Sequence, residues 1–226
     1  MDTVIVTGAS RGLGRYCADQ LHNGGYRVIG LGRTANDSAF ETRVTDVTDP
    51  ASIAASISDV RRDAGVYALI NAAGIASMNL VVTTPARTIK RIVETNLLGT
   101  IYCCQQVAPA LIKRGSGRII NFSTLGVRLA IKGEAVYIAS KAGVEGFSRA
   151  FAREMAPHGV TVNTVAPGPI ETALIAKVPK KNVEEVVSRQ IIPRQGQPED
   201  VWNIVSLLLS PAGAMISGEV IHVGGA

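Results

Sequence analysis

Tyr137 and Lys141 are the residues of this 226-residue chain whose types and spacing most directly suggest chemistry. They lie four apart in a stretch with helical periodicity, so their side chains share one face. A phenol titrates near 10 in isolation, too high for ready proton transfer at neutral pH. A neighbouring ammonium stabilises the phenolate, and each unit of lowering corresponds to about 1.4 kcal/mol. The pair therefore reads as an acid–base group tuned in place. The blander alternative is an ordinary surface pair.

A second candidate is the stretch VIVTGASRGLG, residues 4–14. Three apolar residues lead into Gly8, Gly12 and Gly14, and a helix-like pattern follows. A glycine turn between a strand and a helix lets backbone N–H groups and the helix N-terminus face a phosphate, while the missing side chains permit close approach. A flexible link is the alternative reading, and the position after the first strand favours the phosphate site. About 20 residues further on, where a carboxylate would bind both ribose hydroxyls of NAD, stand Gly32 and Arg33. A carboxylate repels a 2′-phosphate and a guanidinium binds one. Arg11, inside the loop, can approach the same group, so the expected ligand is NADP(H). Two solvated arginines are the alternative.

These residues need elements to hold them. Apolar, Val- and Ile-rich runs predict strands at 3–7, 27–31, 41–45, 67–71, 118–123, 161–166 and 219–223. Amphipathic patterns predict helices at 13–23, 50–64, 87–113, 136–155 and 199–209. Near-continuous apolar strands alternating with helices predict an α/β fold: one Rossmann-type, doubly wound, parallel seven-stranded sheet with helices on both faces, formed by residues 1–226 as a single domain. Between Arg33 and Phe40 there is too little chain for a crossover helix, so a loop or single turn is expected. No repeat, low-complexity tract or linker interrupts the pattern.

Composition narrows the function classes. Hydrophobic residues make up 46% and charged ones 18%, enough for a large core. The net charge of +5 is scattered and aromatics are only 4%, which argues against a nucleic-acid face. Apolar runs stop well short of a membrane span. Asp2 and a strand-like segment follow Met1 at once, leaving no room for a signal peptide, so a cytoplasmic protein is expected. Cys17, Cys103 and Cys104 have no metal-ligand spacing and read as reduced, buried thiols. No metal site is expected.

Together with TGASRGLG, four downstream motifs are similar in kind and order to those of the short-chain dehydrogenase/reductase family, in its 3-oxoacyl-carrier-protein-reductase-like branch. They are NAAG at 71–74, the Asn of ETNLLGT, YIASK at 137–141 and APGPIET at 166–172. The resemblance spans the whole chain. It implies a cofactor site made of Gly8, Ser10, Arg11, Gly12, Leu13, Gly14, Arg33, Asp46, Val47, Asn71, Ala72, Gly74, Tyr137, Lys141, Pro167, Gly168, Ile170 and Thr172. Asp46 and Val47 would contact adenine, the NAAG segment would border the ribose, and Ile170 and Thr172 would hold the carboxamide. It further implies that Tyr137 protonates a carbonyl oxygen while the nicotinamide delivers hydride, that Lys141 binds the ribose, and that Asn96 holds a water in a proton relay.

In one place the chain departs from the family. Where the family commonly has two serines and uses the second to donate to the substrate oxygen, this chain has Ser123 and Thr124. Counting from GRII or from Tyr137 favours Thr124, whereas counting from Gly126 favours Ser123; both stay open. The ending HVGGA lacks a common Asp, which leaves the C-terminal contacts open too. The implied function is NADPH-dependent reduction of a ketone or 3-oxoacyl-type substrate, small or carrier-bound, with two alternatives: a silent NADP-binding sensor or scaffold, and a non-redox epimerase or dehydratase. Substrate choice would lie in the 125–135 loop and in a short amphipathic lid over 173–195, with Lys177, Lys180, Lys181 and Arg189 nearby. Surplus apolar residues on the helices at 87–113 and 136–155 predict a homotetramer, or a dimer through those helices.

Overall fold

The computed structural model describes residues 1–34, 37–172 and 175–226, apart from the Lys177 side chain. The expected lid therefore has Ala173, Leu174 and the Lys177 side chain outside the described residues, and the 33–40 connection has Ala35 and Asn36 outside them.

Seven strands form one parallel sheet. They are β1 (Thr3–Thr7), β2 (Arg27–Gly32), β3 (Glu41–Val44), β4 (Val66–Asn71), β5 (Gly117–Phe122), β6 (Val160–Pro167) and β7 (Val220–Val223). Their spatial order is β3-β2-β1-β4-β5-β6-β7. Every strand is where the apolar runs predict it, within two residues at each end. Alternate residues of β1 feed two separate cores. Ile5 joins a layer with α2 (Pro50–Ser56), α4 (Gly99–Arg114) and α6 (Ala135–Met155). Val4 and Val6 join the opposite layer, under α1 (Gly12–Asn23) and α8 (Pro198–Leu209). Burial on both faces is why inner strands such as β1 and β4 read as apolar runs, whereas the edge strand β3 (ETRV) is partly exposed.

Two helices differ from expectation. The one predicted over 50–64 ends at Ser56, and turns continue to Asp63. Polar residues there serve tertiary contacts instead, with Asp59 held by Arg43 at 2.6 Å. The long helix predicted over 87–113 is three pieces: α3 (Ala86–Val93), a π turn at Glu94–Leu98, and α4. Two further short α-helices occur among the described residues, α5 (Gly126–Leu129) after β5 and α7 (Lys180–Ser188) within the expected lid.

The chain leaves β1 toward β2 and β3 on one side, then crosses back to place β4 on the other. At such a reversal the loops beyond the carboxyl ends of β1 and β4 diverge, leaving a crevice.

Candidate active site

The glycine loop occupies that crevice. Gly8 has φ +67, and a Cβ there would fall 2.8 Å from Ala73 N, so the end of β1 passes directly against the 71–74 segment. Gly12 has φ +60 and nothing within 4 Å of where its Cβ would be, which leaves open backbone at the start of α1. A Cβ on Gly14 would meet Gly8 O at 2.5 Å, so helix and strand pack more closely there than a side chain allows. The first turn of α1 carries no acidic residue and no side-chain cap, leaving its amides available to an anion. This cradle suits a pyrophosphate.

Arg11 and Arg33 are exposed and make no ion pair among the described residues. Arg15, by contrast, is occupied by Asp19 at 2.8 Å. The Thr48 N–H and hydroxyl donate to Asp46 at 2.9 and 2.8 Å, and with the Arg33 charge they hold its carboxyl below the ordinary value. Val47 is buried and would touch a Cβ on Gly99, so its side chain belongs to the core. Ser10 lies beside Gly32 at the end of β2, and Leu13 packs against the second core.

Two asparagines turn away from the crevice. Asn71 Nδ2 donates to Asn121 Oδ1 at 2.8 Å and to Cys104 Sγ at 3.3 Å, inside the core. A ribose beside NAAG would therefore meet the backbone around Ala72 and Gly74. Asn96 sits in the π turn, fully buried. Its Oδ1 accepts from Ile75 N at 2.8 Å, and its Nδ2 donates to Ile75 O at 2.9 Å and to Ser140 Oγ at 3.0 Å. That side chain is fully committed to clamping the segment after NAAG. Its main-chain carbonyl accepts from Thr100 Oγ1 at 2.8 Å.

α6 fastens the end of β5 at successive residues. Lys141 Nζ donates to Phe122 O at 2.8 Å, and Ser123 Oγ donates to Glu145 Oε1 at 2.6 Å. Thr124, next along, is half-buried and turned toward the Tyr137 phenol, whose ionised form its hydroxyl favours. The two hydroxyls thus part company: Ser123 is buried against Glu145, and Thr124 faces the acid–base residue. A Cβ on Gly74 would lie 3.4 Å from Asn96 Oδ1 and 3.5 Å from Lys141 Nζ, which brings β4, the π turn and α6 to one point.

The electrostatics depart from the tuning expected for Tyr137. Burial, and then the nearby Glu134 carboxyl, push the phenol above its ordinary value, and only Thr124 acts downward. Lys141 shares the face but extends to the Phe122 carbonyl, and burial lowers it to about 8. Tyr137 is held as a neutral phenol and is a weaker acid than a free one.

On the far wall, Pro167 ends β6, and Gly168 N donates to Val223 O at 3.0 Å. Ile170 is buried, and Thr172 Oγ1 donates to Ile170 O at 3.3 Å. The HVGGA tail pairs with the lid: Ile192 N donates to Gly224 O at 2.9 Å and Ile191 N to Gly225 O at 3.3 Å. Glu134, Glu145 and Gln190 escaped the sequence reading. Gln190 Nε2 donates to the carbonyls of Ile192 and Arg194 and fixes the lid's end. Glu145 had a legible signal, being a carboxylate four residues past Lys141 on the same helical face. All three cysteines are buried thiols, and no cluster of metal-ligating residues occurs among the described residues. No helix among them is long and apolar enough to cross a membrane.

The comparisons with known proteins agree on the fold and the family. The family model described as Enoyl-(Acyl carrier protein) reductase matches residues 8–225. The chain is 36% identical over 231 residues to the 3-oxoacyl-[acyl-carrier-protein] reductase FabG of Escherichia coli K12, covering 98% of this chain and 95% of the relative. It is 33% identical over 238 residues to the FabG of Staphylococcus aureus Mu50, covering 99% and 96%. Among solved structures it resembles the ligand-free aldohexose dehydrogenase of Thermoplasma acidophilum, with TM-score 0.89 and 28% identity over 99% of this chain and 93% of that one. The chain belongs to the short-chain dehydrogenase/reductase family, oxidoreductases that interconvert C=O and CH–OH groups.

Proposed function

We propose that this protein reduces a ketone-type carbonyl to a secondary alcohol at the expense of NADPH, with Tyr137 as proton donor and Thr124 as the hydroxyl that holds the substrate oxygen. The observation that carries the reading is the convergence of Tyr137, Thr124 and Lys141 beside the glycine cradle, with the phenol held neutral. When bound in that cradle, the reduced nicotinamide supplies hydride to the carbonyl carbon. Thr124 Oγ1 donates to the carbonyl oxygen as it gains negative charge. Tyr137 passes its phenolic proton to the same oxygen. The Lys141 ammonium then lies on the same helical face to stabilise the phenolate left behind. Asn96 keeps the 74–75 backbone in place, and the exposed Arg11 and Arg33 select the 2′-phosphate.

The lid lysines are weak grounds for a carrier protein, since Lys180 is 91% exposed and pairs with Glu184 at 3.7 Å, as solvated side chains do. A homotetramer belongs to the same reading. Ile89, Val93, Leu97, Leu98 and Ile101 stay half-exposed along α3, the π turn and α4, and Phe147 stacks on Phe151 at 5.2 Å on α6.

The test is a ketone panel followed by nicotinamide absorbance. The expected result is net NADPH consumption, with Tyr137→Phe slowing turnover by about 10²–10⁴-fold while NADPH affinity is kept. NADPH bound but never consumed would favour the sensor reading, and substrate conversion without net consumption the epimerase or dehydratase.

A further inference from the structure

Glu134 is the unexplained charge of the site. It stands at the N-cap of α6, where an acidic side chain commonly bonds the first-turn amides, yet it makes no capping bond. Nor does its carboxyl make a hydrogen bond or ion pair among the described residues. It is half-buried, and burial raises its pKa. Its direction is defined by Gly126. A Cβ on that glycine would lie 3.3 Å from Glu134 Oε2 and 3.4 Å from Thr124 Oγ1, so both oxygens border the buried Gly126. It is also close enough to Tyr137 to oppose ionisation of the phenol. A carbonyl held between Thr124 and Tyr137 would have this unpartnered carboxyl close by.

We propose that Glu134 reads the substrate by accepting a hydrogen bond from a donor, a hydroxyl or an ammonium group, on the carbon next to the reacting carbonyl. This rests on the carbonyl-reductase reading and narrows its substrate class. A plain alkyl flank would leave the carboxyl desolvated and unpaired, and a 2-oxo acid would set two carboxylates together. A hydroxyl fits in either protonation state of Glu134, and an ammonium in the ionised one alone.

The experiment uses aryl ketones of matched shape: 2-hydroxyacetophenone, 2-aminoacetophenone, propiophenone and phenylglyoxylate. For the unmodified enzyme, kcat/KM should favour the hydroxy or amino ketone over propiophenone by about tenfold or more, the scale of one charge-assisted hydrogen bond. Phenylglyoxylate should be poorest. Glu134→Leu should erase the preference with NADPH affinity unchanged. Glu134→Gln keeps an acceptor, so it should retain the hydroxyl preference and lose any ammonium preference, which separates the two donors. Calorimetric binding of 1-phenyl-1,2-ethanediol against 1-phenyl-1-propanol to the NADP⁺ complex gives the same comparison without turnover. Tighter binding of the diol that depends on Glu134 would uphold this proposal even if no ketone were reduced, and the reductase reading would then fall alone. Hydroxy and methyl ketones used equally, with diol and mono-alcohol bound equally, would overturn it. So would a preference that survives Glu134→Leu.

Discussion

At the scale of single residues, Ser123 and Thr124 show how adjacent hydroxyls acquire different work. Ser123 Oγ donates to a buried carboxylate at 2.6 Å, whereas Thr124 is turned to Tyr137. Thr124→Val keeps the shape and removes the donor, so kcat should fall on the order of 10²-fold, as for other oxyanion donors. Ser123→Ala should lower stability much more than kcat, and the reverse ranking in steady-state kinetics would reassign the substrate hydroxyl. Lys141 gives a pH signature. Burial lowers it to about 8 from the ordinary 10.5, so between those values the folded state binds fewer protons than the unfolded one. Stability then rises with pH across that window, and burial of the charge costs about 3 kcal/mol below it. In urea unfolding of the ligand-free protein, the unmodified chain should gain up to ~3 kcal/mol relative to Lys141→Met from pH 8 to 10.5. A pH-independent difference would mean that the ammonium is well solvated.

At the scale of elements, α6 is a fastening strip: Lys141 and Glu145, one turn apart, fix Phe122, the last residue of β5, and Ser123 just after it. If that contact is a real coupling, a double-mutant cycle of Glu145→Ala and Ser123→Ala in urea unfolding should give an interaction energy of about 1 kcal/mol or more, whereas additivity would show that the bond contributes nothing. Much of this architecture was legible. The inner strands were readable because burial on both faces leaves an apolar record in the sequence, and the glycine turn was readable from its place after β1. The π turn was not read, because its hydrogen bonds leave no mark on composition. A faint trace exists in Ile92, Asn96, Thr100, Cys104 and Ala108, all buried and stepping by four, wider than the 3.6-residue helical pitch. Glu134 went unread for another reason: a carboxylate before a helix looks like a cap until the structure shows that it makes no capping bond.

At the scale of the whole molecule, the half-exposed apolar residues of α3, α4 and α6 form a surface that a soluble monomer has little reason to keep. Light scattering should give a mass near four chains, or two if only these helices pair. Phe147→Glu, which sets a charge beside the Phe151 ring, should dissociate the assembly while leaving the sheet intact by circular dichroism. A stable monomer of the unmodified chain at micromolar concentration would refute it. The π turn bears on the same surface. One residue added to a helix rotates everything beyond it by roughly 100°, so the turn acts as a crank between α3 and α4. A stripe stepping by four drifts steadily around an unbroken helix, and the crank takes up that drift in one place. The buried edge turns from α6, against which α3 packs, to the strands under α4, and Asn96 is set in the elbow, at the height of the crevice. The outward edges of α3 and α4 are then offset in angle from one another, so a partner subunit would meet a bent ridge, which admits fewer dockings than a straight one.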